Sequence, residues 1–346
     1  MTLTAGKYTS LRRLADANGR FKMVAIDQRP PLFELVTDKT GASPAAYEHV
    51  AAIKSLVTET LSPHGSAMLL DPIWGYSSCI GHVGAARGIL LTDEDHAFTQ
   101  TPGGRLSREI PHWSVAKIKR LGADGVKLLA WYRPDAHETV RRHQQALVEK
   151  VGRDCVEHDL TFLLELLVYA FPGEDGQTGD YVEQAAKRPE QVLESVRHFT
   201  DPRFNVDIFK LESPVAAAAV PEPGSPASSE CQQWFDELGR IATRPWVMLS
   251  AGADMVTFRR VLQYAYRAGA SGYLAGRAIW QPAVRLFPDT DAIRNRLMTE
   301  AVPYMQSLNL LTDEQASAWF DHRCFGGQQP LIAAAGPEFH RLYGAP

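Results

Sequence analysis

The chain has 346 residues, 45% hydrophobic and 22% charged, with a formal net charge of −4. That balance is ordinary for a folded globular protein and argues against disorder. With no basic surplus, nucleic acid and anionic membrane are poor partners, whereas a small anionic substrate held by local arginines is not excluded.

In chain order, the pattern predicts a helix over 8–18, closing at Gly19, and then a short apolar strand over 23–27 that ends on Asp27. Gln28, Arg29, Pro30 and Pro31 follow, and the prolines stop the strand. Helical spacing returns over 45–61. A second strand over 66–71 ends on Asp71, a helical turn covers 82–87, and 88–92 is a third strand. A polar, Gly-rich loop is expected over 93–110 and a helix over 114–121. A fourth strand over 125–130 carries Lys127.

A long amphipathic helix over 134–158 leads to a fifth strand, 161–167, with Glu165 inside its apolar run. A Gly-rich acidic loop over 171–180 and a helix over 188–199 come next. The sixth strand, 206–211, contains Lys210 and ends before Pro214. An Ala/Pro/Ser stretch over 215–229 reads as a mobile loop. After it come a helix (229–242), a strand (246–250), a helix (255–268) and a strand (272–277). The rest, 282–346, reads as helices with no further strand, a C-terminal extension packed on one (β/α)₈ domain spanning 1–346.

Eight short apolar strands alternating with helices imply a parallel sheet, and eight units in about 260 residues match a TIM barrel. The other architecture is a doubly wound open sheet. Against it, the first strand is followed by Asp-Gln-Arg-Pro rather than a GxGxxG turn. In a barrel, the groups at the carboxyl ends of the strands share one mouth. Here those groups are Asp27, Asp71, Lys127, Glu165, Lys210, Ser250 and Gly276-Arg277.

Lys127, Glu165 and Lys210 point to Schiff-base chemistry. Burial disfavours an ammonium and favours the neutral amine, which attacks carbonyls. A neighbouring carboxylate moves the protons. Lys210 is assigned as nucleophile, Lys127 as its electrostatic partner and Glu165 as acid/base. The plain alternative is a buried Lys–Glu pair bracing the barrel floor, for which there is little energetic motive. Ser250, Gly252, Gly276 and Arg277 look like a phosphate site, since glycines admit oxygens to backbone N–H groups and Arg277 adds charge. Asp27 is a candidate for binding substrate hydroxyls, and Arg29 reads either as the holder of a second anionic group or as a solvated loop arginine.

A zinc aldolase needs converging histidines. The eleven here are scattered outside the predicted strands with no HxH or HxxxH pair, so no metal or other cofactor is expected. Four separated cysteines, no apolar run of membrane length and no signal core fit a cytoplasmic protein.

Six segments, in order, carry a family resemblance. They are Val24 to Arg29, Gly122 to Leu129, Phe162 to Leu167, Pro202 to Glu212, Leu249 to Gly252 and Leu274 to Trp280. The chain resembles the class I tagatose 1,6-bisphosphate aldolases, a family that includes the sulfofructose phosphate aldolases. The resemblance implies a (β/α)₈ barrel, a Schiff-base lysine at Lys210 and an acid/base set of Lys127 and Glu165. It also implies Asp27 and Gln28 near the sugar, and a phosphate held by Ser250, Gly276 and Arg277. A ketose phosphate substrate, dihydroxyacetone phosphate as product, no metal and a homo-oligomer come with it. The chain departs from the family at Pro30-Pro31-Leu32, in the insert after Pro214 and in the tail around Phe325-Gly326-Gly327; the first two bear on the far end of the substrate. Other readings are a sulfofructose 1-phosphate aldolase, a non-catalytic sugar-phosphate sensor and a metal-independent isomerase on the same scaffold.

Overall fold

A computed structural model describes residues 2–174, 184, 186–326 and 328–344. Eight parallel strands close into a barrel: Phe21–Ala25, Ala67–Leu70, Gly88–Thr92, Gly125–Trp131, Thr161–Leu167, Ile208–Leu211, Trp246–Met248 and Gly272–Ala275. Each pairs with the next, and the eighth returns to the first. The eight strands foreseen from hydrophobic pattern are all present, and their helices alternate with them. Among the described residues no helix is long and apolar enough to cross a membrane.

Strand alternation sorts the side chains into two layers. Val126, Leu128, Phe162, Leu164, Phe209 and Leu211 face outward into the large core beneath the helices. Met23, Ala25, Ala67, Leu69, Leu90, Leu163, Ile208, Val247 and Leu274 fill the inside. The helix Ala5–Leu14 packs against this inner set through Leu11 and Leu14. It is pinned there by Lys7, whose ammonium lies 2.7 Å from Asp207, and by Ser10, 2.7 Å from the Thr161 hydroxyl. One end of the barrel interior is therefore apolar and filled, and polar side chains gather at the carboxyl ends of the strands.

Several local readings are corrected. The double proline does not merely end a strand: it opens the helix Pro30–Thr40, because proline tolerates the first helical turn where no N–H is needed. The loop expected over 93–110 contains an antiparallel hairpin, Thr99–Thr101 with Gly104–Leu106, turning at Pro102-Gly103. The stretch over 215–229 is not a loose loop. It forms a turn at Ala217–Ala219, buries Ala217 and Val220 in the main core, and accepts a hydrogen bond from Tyr264 Oη at Pro221 O (3.0 Å). The C-terminal part is helical over Thr290–Arg296 and Val302–Gln315, but it also contributes a strand. Leu331–Ile332 pairs in parallel with Thr2–Leu3, and two residues are too short for alternation to reveal them. The acidic loop read over 171–180 lies outside the described residues from Asp175 onward, as does Gly327.

Candidate active site

Three neighbouring strands carry the central cluster. In the sheet register Glu165 sits beside Lys210, and Lys127 beside Leu163 one layer below. All three side chains share the inward parity of their strands. One oxygen, Glu165 Oε2, lies 3.0 Å from Lys210 Nζ and 2.9 Å from Lys127 Nζ. Lys127 Nζ also donates to Asp27 Oδ2 at 3.1 Å and to Glu94 Oε1 at 2.6 Å. Every member of this cluster is buried.

The electrostatics follow from that crowding. Burial alone would push the Asp27 carboxyl up, but the ammonium groups of Lys127 and Lys210 and the Arg29 guanidinium hold it well below its ordinary range. Glu165 is held low in the same way by Lys127 and Lys210 against the effect of burial. The two lysines differ in their company. Lys127 meets three carboxylates, whereas Lys210 meets Glu165, a carboxylate it shares with Lys127.

Of the ten site residues named from the sequence, eight line one cavity at the strand ends: Asp27, Gln28, Lys127, Glu165, Lys210, Ser250, Gly276 and Arg277. Asp27 Oδ1 and Gln28 Oε1 are buried there with no hydrogen-bond partner among the described residues. Gly276 is sterically required, since a Cβ there would come within 2.5 Å of Ala25 O and 2.9 Å of Gln28 Nε2. Arg277 opens the helix Arg277–Val284 just beyond it. Gly252 does not line this cavity. It has φ +86°, and a Cβ there would lie 3.8 Å from the Arg277 guanidinium carbon, so its backbone passes beside that cation.

Arg29, a candidate for holding a second anion, does not line the cavity and is turned to Glu94. It donates through Nη1 to Glu94 O (3.0 Å) and through Nη2 to Glu94 Oε1 (3.3 Å). Asp71 also leaves the mouth: its Oδ2 lies 2.7 Å from Lys54 Nζ, and both side chains are fully buried. The hairpin residue Arg105 is stacked among aromatics, 4.4 Å from the Phe98 and Trp131 ring centres and 4.9 Å from that of Tyr169.

Glu94 is the residue that sequence reasoning missed. Its Oε1 holds Lys127, and its Oε2 accepts the Leu129 N–H at 3.1 Å. A signal was present, because Leu90, Thr92 and Glu94 share one parity, so continuing the strand count two residues past Thr92 aims Glu94 inward.

Asp93, the residue before it, has the opposite parity and a different environment. It is fully buried, and neither carboxylate oxygen has a hydrogen-bond partner among the described residues. Burial first, then Glu109 and Glu94, push its carboxyl up to about 7, with Lys150 opposing and Asp154 adding to the rise. The folded protein then keeps this proton up to about pH 7, whereas the unfolded chain releases it near 3.8. Stability is therefore lost as pH rises between those values. Relative to Asp93→Asn, the wild type is expected to lose on the order of 4 kcal/mol between pH 4 and pH 8. Urea unfolding of both proteins at the two pH values measures this, and a gap that does not change with pH contradicts it.

A larger groove, about 760 Å³, lies beside the helix Ala5–Leu14 and Trp319. Among the described residues that line it there is no buried amine, which leaves the strand-end cavity as the candidate site.

Comparison with known proteins identifies the family. The profile of the DeoC/LacD family aldolases matches residues 21–282, from the first strand to just past the eighth. The chain is 33% identical over 329 residues to a tagatose 1,6-diphosphate aldolase of Lactococcus lactis subsp. lactis, covering 93% of this chain and 99% of that one. It is 32% identical over 327 residues to tagatose 1,6-diphosphate aldolase 1 of Streptococcus mutans, covering 92% and 99%. Among solved structures, the fold is similar to the fructose-bisphosphate aldolase of Plasmodium falciparum (TM-score 0.63, 12% identity, 92% of this chain and 98% of that one). It is also similar to an archaeal fructose-1,6-bisphosphate aldolase whose catalytic lysine carries a carbinolamine intermediate (TM-score 0.55, 15% identity, 88% and 99%). The chain belongs to the DeoC/LacD aldolase family and is an aldolase, a lyase built on a (β/α)₈ barrel.

Proposed function

We propose that the protein is a class I aldolase that cleaves tagatose 1,6-bisphosphate or a closely related ketose phosphate through a Schiff base on Lys210. The observation that carries this reading is the pairing of Lys210 with Glu165 on adjacent strands, 3.0 Å apart, at the carboxyl end of the barrel. The names of the curated relatives supply the substrate class.

The Lys210 amine adds to the C2 carbonyl, giving a carbinolamine, and loss of water gives an iminium. Glu165 takes the C4 hydroxyl proton as the C3–C4 bond breaks. The bonding pair moves into the iminium to form an enamine, and C4 leaves as the three-carbon aldehyde. Protonation at C3 and hydrolysis then release dihydroxyacetone phosphate and restore the amine. Lys127, held by three carboxylates, is a fixed positive charge beside Glu165. Ser250, the Gly276 backbone and Arg277 hold the 1-phosphate, and the unpartnered Asp27 Oδ1 and Gln28 Oε1 meet substrate hydroxyls.

The test is cleavage of a panel of ketose phosphates differing at C4 and C6. Turnover of the tagatose bisphosphate or its epimers at a kcat/KM of about 10⁴ M⁻¹s⁻¹ or more supports the reading. Preference for the sulfofructose phosphate moves the substrate while keeping the machinery, and no cleavage of any member overturns it.

A further inference from the structure

Lys54 lies on the helix Tyr47–Leu61, outside the barrel wall, with a fully buried side chain. Its ammonium donates to Ile26 O at 2.5 Å and to Gln28 O at 2.8 Å, and it forms an ion pair with Asp71 Oδ2 at 2.7 Å. The two carbonyls flank Asp27. The last ladder bond here runs from Ile26 N to Leu69 O (3.0 Å), after which residues 27–29 leave the sheet before the helix Pro30–Thr40 begins. The stretch carrying Asp27 and Gln28 therefore has no strand partner of its own.

Asp71 is anchored independently. Its Oδ1 accepts the N–H groups of Ile73 (3.0 Å) and Trp74 (2.7 Å), which leaves Oδ2 for Lys54. Burying this ion pair is costly, and an apolar pair of similar volume would pack helix against sheet as well or better. An apolar pair cannot donate to the carbonyls on either side of Asp27, and unmet buried carbonyls are costly.

We infer that Lys54, with Asp71 as its counter-ion, is a positioning residue for the reaction. It fixes the Ile26–Gln28 backbone so that Asp27 Oδ2 reaches Lys127 while Asp27 Oδ1 and the Gln28 side chain face the substrate cavity. The inference rests on the Schiff-base reading above, in which Asp27 and Gln28 meet the substrate. It assigns Lys54 no contact with substrate.

The test compares three full-length variants with the wild type. Asp71→Asn keeps the Oδ1 contacts and leaves both Lys54–carbonyl bonds available. The double variant Lys54→Met with Asp71→Asn removes those bonds without stranding a buried charge. Lys54→Arg keeps the charge but replaces a point donor with a planar fork, and serves if the double variant does not fold. The readouts are kcat and KM for bisphosphate cleavage, the yield of borohydride-trapped adduct with dihydroxyacetone phosphate, and the melting temperature. Asp71→Asn, which leaves the Lys54 ammonium without its counter-ion, is expected to lower the melting temperature, and the double variant and Lys54→Arg are expected about 30-fold or more below wild-type kcat with the adduct yield preserved. Double-variant or Lys54→Arg kcat within about 3-fold of wild type overturns the inference, as does adduct yield falling in step with kcat. Wild-type cleavage without any adduct sinks the Schiff-base reading instead, and leaves the kcat comparison among the variants to decide the role of Lys54.

Discussion

Lys210→Met is expected to remove carbon–carbon cleavage, a fall of about 10⁴-fold or more, while leaving the protein folded. The size of the effect follows from covalency: without the amine there is no iminium to receive the electrons of the C3–C4 bond. The fold tolerates the change because, among the described residues, Lys210 makes one ion pair, to an oxygen that Lys127 also holds at 2.9 Å. A buried ion pair contributes little net stability, and methionine fills a similar volume. Lys210→Arg separates charge from nucleophilicity, since it keeps a cation beside Glu165 but cannot form the imine. It is expected to be as inactive as the methionine variant. Steady-state cleavage together with circular dichroism measures both, and retained activity in either variant contradicts the assignment.

Glu165→Gln is expected to lower kcat by about 10²- to 10⁴-fold, the range of a lost general acid/base. It also removes the anion shared by two buried ammonium groups. The effect on stability has a defined sign. The folded-state Glu165 carboxyl lies below its ordinary value of 4.5, because Lys127 and Lys210 outweigh burial. Its contribution is therefore fully present above that value and is lost as pH falls through the folded-state value. The stability gap between wild type and Glu165→Gln is expected to be widest at pH 6–8 and to narrow below pH 4. Denaturant unfolding across that range tests this, and a gap that widens toward acid contradicts it.

The barrel and the clustering at the centre of the candidate site were legible for the same reason. A charged residue inside a short apolar run stands out, and Lys127, Glu165 and Lys210 each sit at an inward position of such a run. Periodicity sets both their depth and their face. It stops informing where the chain leaves the sheet. Arg29 and Asp71 lie beyond the last residues of their strands, Ala25 and Leu70, so backbone turning rather than alternation decides where they point. One meets Glu94 and the other Lys54, and neither partner is adjacent in sequence. Glu94 was hidden among Asp93, Glu94 and Asp95 in a stretch that reads as a polar loop. Lys54 sits on the apolar face of its helix, four residues after Val50 and three before Val57, so periodicity signalled its burial but not its partners. Such partners are set by tertiary packing across many residues of chain.

The measurement closest to the central claim is the site of covalent capture. Incubation with dihydroxyacetone phosphate, reduction with borohydride and peptide mass mapping is expected to place a reduced triose phosphate adduct on the peptide containing Lys210, with none on Lys127. Full cleavage activity with no adduct, or an adduct confined to Lys127, contradicts the account.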